Sequence, residues 1–249
     1  MIDVHCHLTQ PDYDSDRGEV IERCRQGLKA VVTSCAHPKD FSSTMQLVEQ
    51  YPKFIFCTVG IHPTYVKEIG ETENNFIDLV EKNREKVNGI GEVGLDFKIQ
   101  ENEFREQQKK LFISFMKLSE KIKLPLIIHS RAAFKEAMEL LESYRMKNVL
   151  MHFFTARELL NKVIENDWYI SVNTTLLTSK KIKKIVRDLP LERILTETDA
   201  PWLGLEKERN EPSSVKLVVE KIAQIKKLSF DEADSVTTEN AQRFFSLTF

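Results

Sequence analysis

The first chemistry in this chain lies in its opening eight residues, Met-Ile-Asp-Val-His-Cys-His-Leu, from Met1 to Leu8. Ile2, Val4 and Cys6 alternate with Asp3, His5 and His7, the period-two pattern of a strand, so both imidazoles are expected on one face. Two histidines placed like that can grip one divalent metal ion. One buried, hydrogen-bonded histidine beside one exposed histidine satisfies the same pattern, so the rest of the chain must decide. It supplies more residues of ligand type: His129 after Leu126-Ile-Ile, His152 after Val149-Leu-Met, Glu92 and Asp96 in Gly91–Asp96, and Glu197 and Asp199 in Thr196–Asp199.

The elements that would position these side chains recur with one rhythm. Apolar, β-branched runs at Ile2–His7, Ala30–Ala36, Phe54–His62, Gly89–Asp96, Leu126–Ser130, Asn148–Phe153, Trp168–Thr174 and Arg193–Asp199 read as eight strands. Helical patterns fill the intervals at Arg17–Gly27, Asp40–Tyr51, Thr72–Glu85, Glu103–Ile122, Arg131–Tyr144, Ala156–Asn166 and Ser179–Leu189, with Ser213–Lys226 and Asp231–Phe245 closing the chain. No Pro/Gly/Ser-rich linker or repeat divides them. The expected fold is therefore α/β, one (β/α)8 TIM barrel over residues 1–249.

In such a barrel the active site lies at the carboxyl ends of the strands. Those ends carry His5, His7, His62, Glu92, Asp96, His129, His152, Glu197 and Asp199, which includes five of the six histidines in the protein. His5, His7, Glu92, His129, His152 and Asp199 make a nitrogen- and carboxylate-rich set. It exceeds what one four-coordinate ion with an open position needs, so two divalent metal ions are expected. His5, His7 and Asp199, from strands that become neighbours on closure, are assigned to one ion. His129 and His152 are assigned to the other, with Glu92 as the bridge. Imidazole mixed with carboxylate suits Zn, Mn or Co better than Mg on softness, although Mg also enters the expected set.

Composition narrows the setting. Lys plus Arg is 36 against 38 Asp plus Glu, so no net basic charge marks a nucleic-acid binder, although bound metal can supply positive charge where a phosphate reacts. The four cysteines, Cys6, Cys24, Cys35 and Cys57, lie far apart and are read as reduced core residues. No apolar run approaches the roughly 20 residues of a membrane span. A cytoplasmic location without an obligate protein partner is expected.

The motifs Met1–Leu8, Gly60-Ile-His-Pro63, Gly91-Glu-Val-Gly-Leu-Asp96, Leu124-Pro-Leu-Ile-Ile-His-Ser-Arg131, Thr196-Glu-Thr-Asp-Ala-Pro-Trp-Leu203 and Arg209-Asn-Glu-Pro212 occur in that order. With Glu239–Phe245 in the last helix, they resemble the TatD family of metal-dependent deoxyribonucleases. The resemblance implies a somewhat distorted TIM barrel of the amidohydrolase type. It also implies metal-dependent hydrolysis of DNA phosphodiester bonds, 3′-to-5′ on single strands or ends. Carried over by position, its ligands are His5, His7, Glu92, His129, His152 and Asp199, and His62, Arg131 and Arg209 fall beside the substrate as phosphate contacts. Two departures bear on substrate fit. Phe153-Phe-Thr-Ala156 stands where the family usually has Cys-Phe-Ser-Gly, and Ala132-Ala133 stands where an acidic residue is common.

The expected catalytic residues are Asp199, accepting a proton from water, and the bridging Glu92. Glu197 shares a face with Asp199 and is read either as a partner of a ligand or as a structural hydrogen bond. Trp202 is read either as a stacking surface for a base or as packing under the Pro201 loop. Lys180, Lys181, Lys183 and Lys184 read either as contacts to a DNA backbone or, as such runs usually are, as a solvated helix face. The rival activities are D-aminoacyl-tRNA ester hydrolysis, amidohydrolase-type cleavage of small amides, and a non-catalytic scaffold. The last fits poorly with six intact ligand positions.

Overall fold

Eight parallel strands follow one another around a single sheet in chain order in the computed structural model, which describes residues 1–98 and 104–249. They are β1 (Ile2–Cys6), β2 (Ala30–Cys35), β3 (Ile55–Val59), β4 (Gly89–Asp96), β5 (Leu126–Arg131), β6 (Val149–Met151), β7 (Tyr169–Val172) and β8 (Ile194–Thr196). Around them run α1 (Arg17–Arg25), α2 (Phe41–Gln50), α3 (Val66–Ile69), α4 (Glu73–Lys82), α5 (Arg105–Ile122), α6 (Phe134–Ser143), α7 (Leu160–Glu165), α8 (Lys180–Asp188), α9 (Val215–Lys226) and α10 (Phe230–Phe245). This is the expected (β/α)8 barrel. Strands buried on both faces, such as Val149–Met151, read as unbroken apolar runs because helices cover one side and the barrel interior the other.

The barrel is distorted where chemistry was expected. Ladder pairing runs from β1 to β8, but β8 meets β1 without a regular ladder. Side chains stitch that seam instead. The Thr198 hydroxyl and amide donate to Asp3 at 2.5 and 3.0 Å, and the Thr196 hydroxyl donates to the Ile2 carbonyl at 3.0 Å. The Asp199 amide donates to the His5 carbonyl at 2.9 Å. The register also slips twice, between Asp3 and Cys6 in β1 and between Ile90 and Val93 in β4. Such bulges re-aim side chains, and these two bracket His5 and Glu92.

Close approach fixes Gly94. A Cβ there would sit 2.1 Å from the His129 carbonyl oxygen, and its φ of +139° is one that side-chain-bearing residues rarely adopt.

Four of the eight expected strands, β3, β6, β7 and β8, end two or three residues early, because their last residues leave the ladder to form the rim. His62 lies beyond β3, and Asp199, at φ +59°, cannot continue β8. The helix expected over Thr72–Glu85 is the shorter α4, preceded by an unforeseen α3. Glu103, the expected start of α5, lies outside the described residues, and α5 runs from Arg105. All four cysteines are buried free thiols, and burial pushes Cys24 and Cys35 up to about 12. Among the described residues no helix is long and apolar enough to cross a membrane.

Candidate metal centre

The carboxyl ends of the strands surround a cavity of about 520 Å³, and His7, His62, Glu92, His129, Arg131, His152 and Asp199 are on its wall. His5 lies just beneath. Its Nε2 is 3.1 Å from His7 Nε2, 3.4 Å from Glu92 Oε2 and 3.7 Å from Asp199 Oδ1. His7 Nε2 completes the group, 3.8 Å from Glu92 Oε2 and 3.5 Å from Asp199 Oδ1. Four electron-rich atoms thus converge on one point. A tetrahedral ion with ligands at about 2.0–2.1 Å requires ligand atoms roughly 3.3–3.4 Å apart, so these spacings fit a divalent cation.

The other oxygen of Glu92 faces a second group. Oε1 is 2.7 Å from His129 Nδ1, 3.6 Å from His152 Nε2 and 3.6 Å from His62 Nε2. One carboxylate therefore divides its oxygens between two clusters of histidines, the geometry a bridging ligand requires. The donors fall into three overlapping triads, His5–His7–Asp199, His5–Glu92–His152 and His62–Glu92–His129. His129 and His152 thus join separate triads, each through Glu92.

Outer partners decide what His152, His129 and His62 offer. His152 Nδ1 donates to Glu197 Oε2 at 2.8 Å, which leaves Nε2 facing the centre. Glu197 is held in turn by the Asn173 amide at 3.1 Å. His129 is pinned between Glu92 and Asp96, with Nε2 3.2 Å from Asp96 Oδ2. His62 differs. Its Nδ1 accepts from the Thr64 amide at 3.3 Å and lies 2.6 Å from the Thr64 hydroxyl, which leaves the proton on Nε2, facing the cavity.

Electrostatics follow this arrangement. Burial disfavours the His152 imidazolium, yet Glu197 and Glu92 outweigh it and push the group up to about 10. Burial, and then His129, push His62 down to about 3, so it is neutral. Burial, and then His152, also lower His5. His129 is raised, because Asp96 and Glu92 overcome its burial. Burial works against ionisation of Glu92 and Asp199, but the surrounding imidazoles hold both carboxyls below their ordinary values.

Of the expected substrate contacts, His62 and Arg131 line the cavity. The Arg131 guanidinium is 2.7 Å from Asp96 and remains partly exposed. Arg209 does not line it. Its guanidinium donates to both Asp16 oxygens at 2.7 and 2.6 Å and to the Asp12 carbonyl at 2.7 Å, and it covers the Tyr13 ring. Trp202 is exposed and its ring centre lies 4.6 Å from that of His7. The sequence reading missed Asn173 and Asp3. Asp3 accepts from the His5 amide at 3.2 Å as well as from Thr198, and so holds β1 at its bulge. The available signal was its place two residues before His5. Asp199, Phe153, Ala132 and Leu203 all have positive φ on this rim, where strained backbone commonly marks function.

The family model described as TatD related DNase matches residues 2–246. The Bacillus subtilis protein named uncharacterized metal-dependent hydrolase YabD is 35% identical, over 99% of each chain. Human deoxyribonuclease TATDN3 is 33% identical over 98% of this chain and 94% of its own. The 3′-5′ ssDNA/RNA exonuclease TatD of Erwinia tasmaniensis is 28% identical over 99% of this chain and 100% of its own. In fold, the chain is similar to the crystal structure of YJJV, a TatD homolog from Escherichia coli K12. The TM-score is 0.92 at 23% identity, covering 100% of this chain and 98% of that one.

Proposed function

This chain belongs to the family of TatD-related DNases, metal-dependent hydrolases acting on phosphodiester bonds, and on that premise we propose that it removes nucleotides from the 3′ ends of single-stranded DNA. The observation that carries this reading is the division of Glu92 between two histidine clusters. His5, His7 and Asp199 would hold one divalent ion, and His129 and His152, which both face Glu92 Oε1 although they fall in different triads, a second, with Glu92 shared. Ions bound there would bring the pKa of water towards roughly 7 and offset charge gathering on the phosphate.

The side chains then have separable tasks. Asp199, kept ionised by the imidazoles beside it, accepts the proton of the attacking water. His62, neutral and with its proton on Nε2, donates to a non-bridging phosphate oxygen. Arg131, anchored on Asp96, presents its exposed edge to the same phosphate. With a formal net charge of −2, the protein has no overall positive charge to attract DNA, and metal bound at this rim would supply positive charge where the phosphate reacts. The polarity is the one named for the Erwinia tasmaniensis relative.

A 5′-labelled single-stranded oligonucleotide incubated with Mn or Mg tests the reaction. The expected product is a ladder shortening from the 3′ end, abolished by chelator and restored by metal. An oligonucleotide left intact by metal-loaded protein overturns the proposal and brings D-aminoacyl-tRNA and small amides forward.

A further inference from the structure

Beside the metal cluster the active cleft opens into a second cavity of about 210 Å³. It shares His129, His152 and Phe153 with the main cavity and adds Ser130, Phe134 and Thr155. Two aromatic rings therefore stand on a small chamber that begins at candidate metal ligands. Both rings are held in place. Phe134 packs edge-on against buried Phe154, with ring centres 5.3 Å apart and planes at 85°. Phe153 has φ +44°, a backbone conformation that a bulky residue rarely adopts, and it sits directly after His152. The polar inventory is sparse. Ser130 is buried, and its Oγ has no hydrogen-bond partner among the described residues; Thr155 brings another hydroxyl. Arg131, which also borders the chamber, is anchored on Asp96 at 2.7 Å.

A phosphate group would find little here, because the Arg131 edge left free by Asp96 serves the phosphodiester at the metal centre and the rings offer it nothing. A planar ring with polar edges matches the walls. Its faces would meet Phe153 and Phe134, with a polar edge towards Thr155. We propose that this side cavity binds the base of the 3′-terminal nucleotide while the adjoining phosphodiester lies at the metal centre, an inference that rests on the nuclease reading above. Every base has a π face, so the cavity selects for the presence of a base with little preference among the four.

The test compares two oligonucleotides of one sequence, one ending in an ordinary 3′ nucleotide and one ending in a base-free tetrahydrofuran residue. The readout is kcat/KM for release of the last residue, measured for metal-loaded wild type, Thr155→Trp, which fills the cavity, and Phe153→Leu. Wild type is expected to favour the base-bearing end by about fivefold or more, the lower range for stacking of a base on an aromatic ring. The ratio is expected to approach one in Thr155→Trp and to fall in Phe153→Leu. Equal cleavage of both ends by wild type overturns the base site and leaves the nuclease reading intact. A wild-type preference that persists in both variants also overturns it. If neither oligonucleotide is cut, the nuclease reading fails and the base site fails with it.

Discussion

Glu197 Oε2 lies 2.8 Å from His152 Nδ1, a buried contact that reaches across β7 and fixes which nitrogen of His152 faces the metal cluster. Of the two readings open for Glu197 in the sequence, the structure therefore gives the partner of a ligand-type histidine. Removing such a partner usually weakens metal binding by about 10- to 100-fold. Glu197→Gln is accordingly expected to lower metal affinity within that range while the protein stays folded. Calorimetric titration with Zn or Mn reads the affinity and circular dichroism reads the fold. Unchanged affinity would make the contact merely structural.

Protons compete with metal at this centre. Glu197 and Glu92 overcome burial and push His152 up to about 10 from an ordinary 6.5. In metal-free protein the stabilisation from that pairing is complete below about pH 6.5 and is lost as pH rises through about 10. Metal binding must displace the proton, so affinity is expected to rise with pH across the neutral range. Binding at pH 7 should release protons, visible as a dependence of binding heat on buffer ionisation enthalpy. The melting temperature of metal-free protein should fall between pH 7 and 10. Proton-neutral binding would contradict the assignment of His152.

Arg209 separates two roles. Its bonds to Asp16 and to the Asp12 carbonyl tie the loop after β8, which carries Trp202, to the segment leading into α1. If it acts as that clasp, Arg209→Ala and Asp16→Ala raise KM for DNA by similar amounts and the double variant adds little, as expected of residues in one network. If it contacts phosphate directly, Asp16→Ala releases the guanidinium and leaves KM unchanged or lower. Steady-state kinetics on the three variants distinguish the two.

The architecture was legible because its causes are local. Buried parallel strands must be apolar, and the intervals between them are long enough for helices, so eight repeats imply a barrel. The rim histidines were legible for a related reason, since imidazoles such as His129 and His152 stand out against the apolar runs that precede them. Two bulges, the unladdered seam between β1 and β8, and the positive φ of Asp199 and Phe153 were not legible. Each depends on contacts between segments distant in sequence, as when Asp3 meets Thr198. The same holds for Arg209, whose type and position fit a phosphate contact but whose partner Asp16 lies at the other end of the chain. His62 shows the opposite outcome. It lies on the cavity wall as expected, and its protonation pattern is set by Thr64, two residues on.

The most direct test of the account is the rate of 3′ nucleotide release by metal-loaded Asp199→Asn, measured beside its affinity for single-stranded DNA and its metal content. The side chain keeps its shape and loses its capacity to accept a proton at the pH of the reaction. The expected result is a fall in kcat of about 100-fold or more, the scale of a lost general base, with DNA still bound. An Asp199→Asn protein that retains its metal and cleaves at the wild-type rate would contradict it.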